Sequence, residues 1–236
     1  MATIVSLQKV TKDYGQGDAL THALRGVDLM VEAGEFTAMA GPSGSGKSTL
    51  LNIIGGLDRP TAGRVEVDGR EINTLSSTEL GLLRRDRIGF IFQSYNLIPV
   101  LTALENAEYV LMLQGIPTFE RRNRVRDVLK EVGLEGLENR YPRQLSGGQQ
   151  QRVAIARAIV SEPALVLADE PTANVDSETG KSLLDLMRRL NEEKGVTFFF
   201  STHEEAVMKR ARRLLQIRDG VIFNDQANNH GHQANG

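Results

Sequence analysis

One run constrains this chain more than any other: Gly41-Pro42-Ser43-Gly44-Ser45-Gly46-Lys47-Ser48. It fits the pattern of a glycine, four residues and then Gly-Lys-Ser/Thr, a loop whose backbone N–H groups cradle phosphates. Residues 35–40 before it read as a short buried strand, and residues 49–54 after it as the start of a helix. That context separates a phosphate site from a chance glycine-rich turn. Gly41, Gly44 and Gly46 let the backbone close around a compact anion with its N–H groups inward. A helix beginning near Lys47 adds the positive end of its dipole. Lys47 is expected to reach the β- and γ-phosphates, and the Ser48 hydroxyl to ligate Mg²⁺. Nucleotide contacts are thus expected from Gly41 through Pro42, Ser43, Gly44, Ser45, Gly46, Lys47 and Ser48 to Thr49.

Composition narrows the class further. With 236 residues there is room for one large domain, or a core plus a subdomain. A net charge of −2 argues against a general nucleic-acid binder, which needs a basic excess. Cysteine is absent, so there is neither a disulfide framework nor thiol chemistry. The apolar stretch at the N-terminus is too short for a secretion signal, and no apolar run approaches a membrane span. Any link to a membrane is therefore expected through a partner chain.

Before the loop, Ile4, Val5, Leu7 and Val10 suggest one strand, and Val27, Leu29 and Val31 another. Residues 11–17 between them read as a polar turn carrying Tyr14, which either stacks on a purine or packs on its own hairpin. Residues 64–72 read as a hairpin turning at Asp68-Gly69. Residues 88–92 form a buried strand with Gln93 at its exit, where ligands bind in α/β sheets. Gln93 there faces Mg²⁺ or the attacking water, or is a solvated loop residue. From 102 to 140 the pattern is helical, opening on a Thr102…Glu105 capping box. A second helix over 119–132 carries Arg121, Arg122, Arg124 and Arg126, read as a solvated face. This block is a candidate subdomain, about 95–160, of a domain spanning 1–225.

Residues 145–152, Leu-Ser-Gly-Gly-Gln-Gln-Gln-Arg, start another helix with a Ser146…Gln149 capping box. Gly147 and Gly148 are poor helix formers, so they mark either a second anion nest or the close approach of another backbone. The apolar strand 164–168 ends in Asp169 and Glu170. In P-loop enzymes an acid here holds Mg²⁺, which suits Asp169, and Glu170 is then placed to polarise water as general base. Asp176 or Ser177 caps a helix with a Leu183, Leu184, Leu186, Met187, Leu190 core stripe, closed by Gly195. A strand over 196–201 leads to Thr202-His203-Glu204-Glu205, read as a capping box with a histidine inside, which is either structural or solvated or, at a strand's carboxyl end, meets the γ-phosphate. A last hairpin turns at Asp219-Gly220, and residues 226–236 read as a disordered tail in which His230 and His232 offer at most weak metal binding.

Together these stretches resemble the nucleotide-binding subunit of an ATP-binding cassette (ABC) transporter, over residues 4–223. The 41–48 loop is similar to its Walker A motif, 165–170 to Walker B with the catalytic glutamate, and 145–149 to its Leu-Ser-Gly-Gly-Gln signature. By the same resemblance Tyr14 falls at the adenine-stacking aromatic, Gln93 at the Q-loop, Asp176 at the D-loop and His203 at the switch histidine. Residues 50–58, 92–99 and 101–106 are similar to the lipoprotein-releasing and macrolide-exporting branch, whose relatives include a cell-division subunit. Ala173 and Val175 depart from the Gly and Leu more usual there.

The resemblance implies an α/β fold: a P-loop NTPase core with an antiparallel β subdomain and an inserted α-helical subdomain. It implies a transport ATPase using ATP and Mg²⁺, with Ser48, Gln93 and Asp169 on the metal and Glu170, His203 and Gln93 in catalysis. It also implies a head-to-tail homodimer, each ATP lying between one Walker A loop and Ser146, Gly147, Gly148, Gln149 and Asp176 of the other copy. An integral membrane permease is the expected partner, at the cytoplasmic face of the cell membrane, with no nucleic acid. The expected cargo is lipid-linked or amphipathic. The rival is a mechanical or signalling module of the cell-division kind. An ABC ATPase of DNA or ribosomes would need a long coiled coil or a second cassette, and the sequence carries neither.

Overall fold

The computed structural model describes residues 2–228. In chain order its first half holds β1 (Thr3–Tyr14), β2 (Thr21–Glu32), β3 (Phe36–Ala40), α1 (Lys47–Ile54), β4 (Ala62–Val67), β5 (Arg70–Glu71), α2 (Ser77–Arg87), β6 (Ile88–Ile91) and α3 (Ala103–Leu113). The second half holds α4 (Thr118–Glu131), α5 (Gly147–Ile159), β7 (Leu165–Asp169), α6 (Ser177–Lys194), β8 (Thr197–Thr202), α7 (Glu205–Met208), β9 (Arg213–Arg218) and β10 (Val221–Ala227).

Two sheets result. An antiparallel sheet has the order β2-β1-β4-β5, and a six-stranded sheet the order β10-β9-β3-β8-β7-β6. In the second, β3, β8, β7 and β6 are parallel, β9 runs parallel to β3, and β10 returns antiparallel. Parallel strands with both faces covered read as unbroken apolar runs, and β8 is buried at every position. Phe198 and Phe200 face one core, where they meet Phe36 at ring-centroid distances of 5.8 and 4.9 Å. Phe199 faces the other core, shared with α1 and the antiparallel sheet. Leu104, Leu111, Val125, Leu129 and Val153 of the helical block join the first core, so these helices pack onto one face of the sheet.

Register places the chemistry. Ala40 lies opposite Thr202, Asp169 opposite Ser201, and Ile91 opposite Ala168. The phosphate loop, Glu170, His203 and Gln93 therefore leave the same end of neighbouring strands, the carboxyl edge where α/β sheets bind ligands.

Several expectations need correction. Residues 11–14 are strand, not turn: β1 and β2 keep pairing out to Tyr14–Thr21, with register shifts that absorb the polar stretch. Helix α2 was not anticipated, although Ser76 and Glu79 form a reciprocal capping box. Arg121 is not on a solvated face: it donates to the nearly buried Glu108 at 2.9 Å. The Thr202…Glu205 capping box does not form. Thr202 is the last, buried residue of β8, and its hydroxyl accepts from Glu204 N–H instead, while α7 begins without a side-chain cap. Finally, β10 continues through Ala227, so Gln226 and Ala227 are strand rather than tail. His230 and His232 lie outside the described residues.

Candidate active site

Helix α1 starts at Lys47, with Gly46 at its N-cap in the left-handed region (φ +105°) and no side chain capping it. Its first-turn N–H groups thus have no intrahelical acceptor and face the loop, the arrangement that binds anions. Gly46 is required sterically, since a Cβ there would stand 2.6 Å from the Ala23 carbonyl of β2. The buried Lys47 arches back and donates to the carbonyls of Gly41 (2.7 Å) and Pro42 (3.0 Å). The Ser45 hydroxyl is buried and has no hydrogen-bond partner among the described residues.

Lys47 and Gly46 border a cleft of about 620 Å³, whereas Gly41, Pro42 and Ser45 do not. The P-loop supplies Ser43, Gly44, Gly46, Lys47, Ser48 and Thr49, and the carboxyl edge supplies Gln93, Asp169, Glu170 and His203. Asp169 is held by the buried Ser201 hydroxyl, which donates to Oδ1 at 2.5 Å and accepts from Glu170 N–H at 3.0 Å. Glu170 has φ +45°, in the left-handed region that is uncommon for a residue with a side chain. Its Oε1 lies 3.0 Å from His203 Nδ1. The carboxylate only accepts, so Nδ1 carries the proton of that bond.

Tyr14 does not border the cleft. Its hydroxyl donates to Asp58 at 2.7 Å, and Lys12 sits over its ring at 4.8 Å while also pairing with Asp58. Partial burial pushes the Tyr14 phenol above its ordinary range, and the neighbouring Asp58 pushes it further. Asp58 loses some hydration, but hydrogen bonds from Lys12, Tyr14 and Arg59 N–H outweigh that and hold its carboxyl below the usual range.

Ser146, Gly147, Gly148, Gln149 and Asp176 do not border the cleft of their own chain either. The Ser146 capping box is formed, so α5 begins where expected. Its glycines are closely approached: a Cβ on Gly147 would lie 2.8 Å from the Tyr95 hydroxyl, and one on Gly148 would overlap the Thr179 methyl. Asp176 caps α6 by accepting from the Glu178 and Thr179 N–H groups, and the Thr179 hydroxyl and N–H bonds hold its carboxyl below the usual range.

Sequence reasoning missed the links among these loops. Asn174 Nδ2 donates to the Gln93 carbonyl (2.9 Å), and the Tyr95 hydroxyl donates to the Asn174 carbonyl (3.0 Å). Arg157 of α5 donates to the carbonyls of Tyr95 and Asn96, both in the left-handed region, and burial lowers its affinity for its proton. Gln151, fully buried on α5, donates to the Pro171 carbonyl next to Glu170 (2.6 Å). Thr21, His22 and Ala23 of β2, outside every motif, also border the cleft. A larger cavity, about 800 Å³, lies at the other end of the sheet around Arg87, Val196 and Thr197, and none of the expected site residues borders it.

With this geometry in place, a family profile described as "ABC transporter" matches residues 24–173. The chain belongs to the ABC transporter family. This cassette is 47% identical over 227 residues to MJ0796 of Methanocaldococcus jannaschii, described as an uncharacterized ABC transporter ATP-binding protein, covering 94% of this chain and 97% of that one. It is 46% identical over 224 residues to the macrolide export ATP-binding/permease protein MacB of Brucella melitensis, covering 95% of this chain but only 34% of MacB. A solved structure of MJ0796, described as a dimeric post-hydrolysis state bound to ADP and Pi, superposes with a TM-score of 0.89 at 46% identity. It covers 97% of this chain and all of that one. The cassette is thus an ATP-binding and ATP-hydrolysing member of the family, with relatives in the macrolide-exporter branch. No described helix is long and apolar enough to cross a membrane.

Proposed function

We propose that this cassette hydrolyses MgATP between two copies of itself and drives a separate membrane permease that exports or extracts a lipid-linked or amphipathic substrate. The observation that carries the reading is the alignment of open α1 N–H groups and Lys47 with Asp169, Glu170, Gln93 and His203 around one cleft. The donor chemistry fits Mg²⁺, a hard cation that takes one or two protein oxygens and completes its shell with phosphates and water. The Ser48 hydroxyl and Asp169 would hold it, with Gln93 reaching the same place; when bound it neutralises charge developing on the phosphates. Among the described residues no three His, Cys, Asp or Glu side chains converge on a metal position.

Glu170 is the general base: it takes a proton from the water that attacks the γ-phosphorus. His203, bonded to it, orients that carboxylate and stays within reach of the departing phosphate. Lys47 exchanges its carbonyl acceptors for phosphate oxygens. Ser146, Gly147, Gly148 and Gln149, which leave the cleft of their own chain, complete the cleft of the other copy, and Asp176 adjoins it. Closure then depends on the γ-phosphate that hydrolysis removes, which is how the cycle moves a partner. The dimeric MJ0796 structure supports pairing, and MacB carries its permease in one chain.

Exposed Tyr109, Met112 and Leu113, at helical spacing on α3, offer an apolar stripe for the permease. The cassette would then sit peripherally on the cytoplasmic face of the membrane. Steady-state ATPase measurement on Glu170→Gln tests the base: binding persists and turnover falls by at least about 10²-fold, and an unchanged rate refutes the assignment. Lys47→Ala is expected to weaken nucleotide binding itself; normal affinity refutes the P-loop role.

A further inference from the structure

The part of the cleft lined by β2 carries His22, which has no role in the reading above. His22 pairs across strands with Asp13, and its Nδ1 lies 2.7 Å from Asp13 Oδ1. A carboxylate only accepts, so Nδ1 donates, and Nε2 of the neutral ring is left as an acceptor. Among the described residues nothing donates to Nε2, and half of the side chain is open to solvent. The neighbouring Ala23 carbonyl is packed against Gly46, so this wall is fixed to the P-loop itself.

We propose that His22, held by Asp13, accepts a hydrogen bond from a ribose hydroxyl of the bound nucleotide and makes the site sensitive to the sugar. This rests on the nucleotide reading of the cleft. The phosphates are anchored at Lys47 and Ser48, and the γ end is committed to Glu170 and His203. The rest of the molecule must leave along the remaining wall, which is Thr21, His22 and Ala23. An acceptor there needs a donor on the ligand. Ionised phosphates have none; ATP offers donors only at the ribose hydroxyls and the adenine amino group. His22 is one residue from the P-loop contact at Ala23, which puts it beside the sugar rather than the distal base.

The test is calorimetric titration of the full chain, without Mg²⁺, using ATP, 2′-deoxyATP, 3′-deoxyATP and inosine triphosphate. The unsubstituted chain is expected to bind one or both deoxy nucleotides about fivefold more weakly than ATP, the value of one hydrogen bond. His22→Ala should bind ATP as weakly as the deoxy forms, with the discrimination gone. Asp13→Asn should lose part of it, because the ring is no longer held. His22→Gln, which keeps an acceptor, should recover some. Equal affinity for ATP and both deoxy nucleotides in the unsubstituted chain overturns the proposal, as does discrimination that survives His22→Ala. A penalty confined to inosine triphosphate places the contact on the base and overturns it too. A chain that binds none of the four fails at the P-loop reading itself.

Discussion

Gly147→Ala asks whether the first glycine of α5 is there for space or for an open N-terminus. An added Cβ would stand 2.8 Å from the Tyr95 hydroxyl, 3.4 Å from the Asn174 carbonyl and 3.8 Å from Tyr95 Cζ. Only the first of these forces a shift. Moving the hydroxyl breaks its 3.0 Å bond to the Asn174 carbonyl. Losing that bond and straining the ring should cost about 1–2 kcal/mol. Alanine returns at most about 1 kcal/mol of helix propensity, and less at the first helical position. The net cost in the unsubstituted chain is then about 1 kcal/mol. In a Tyr95→Phe background the nearest remaining atoms are at ordinary contact distances, so the same change should be neutral or slightly stabilising. The double-mutant cycle is thus expected to show a coupling of about 1 kcal/mol. Urea unfolding of the four proteins measures it through the midpoint at constant slope. A cost equal in both backgrounds would refute the steric account. ATPase rates on the same proteins separate the second role: if the glycine also admits the γ-phosphate, the double variant regains stability but not turnover.

Other outcomes follow from the same geometry. Arg157→Ala releases the carbonyls of Tyr95 and Asn96 and so the loop carrying Gln93; kcat should fall about tenfold with nucleotide affinity little changed and the folded fraction, read by circular dichroism, intact, whereas a matching loss of folded protein would refute the loop account. Arg213→Ala breaks a bidentate pair with Asp225 and bonds to Glu35 at the other end of the sheet, and should destabilise by about 1–3 kcal/mol in urea unfolding without altering ATP affinity. Asp58 is held below its usual range when folded, so its contribution to stability is full above an unfolded carboxyl pKa of about 3.9 and fades as pH falls through the lower folded value. The stability gap between the unsubstituted chain and Asp58→Asn should therefore be constant near neutrality and close in acid; a gap that widens in acid would contradict that sign.

Local chemistry decided what was legible in the sequence. The start of α1 at Lys47, the capping boxes of Thr102 and Ser146, and the Asp68-Gly69 turn are short-range signals, and each forms as read. The same Ser/Thr-x-x-Glu pattern misled at Thr202, where strand pairing had already claimed the residue. It went unread at Ser76, because α2 buries only Leu80 and Leu83 and its apolar stripe is thin. What crowds Gly147 and Gly148 is not another backbone but the side chains of Tyr95 and Thr179, with the Asn174 carbonyl at ordinary contact distance. Unreadable from sequence were pairings between distant positions. His22 meets Asp13 because β1 and β2 stay paired out to Tyr14 and Thr21. Arg157 meets Tyr95 and Asn96 only because two consecutive residues turn left-handed after Gln93.

Light scattering on Glu170→Gln, with and without ATP, tests most directly the claim that two copies share each nucleotide. The expected mass is that of a 26.0 kDa chain without nucleotide and twice that with it, and Ser146→Arg should abolish the doubling while ATP still binds. A chain that stays monomeric at saturating ATP, or doubles regardless of Ser146, would contradict the account.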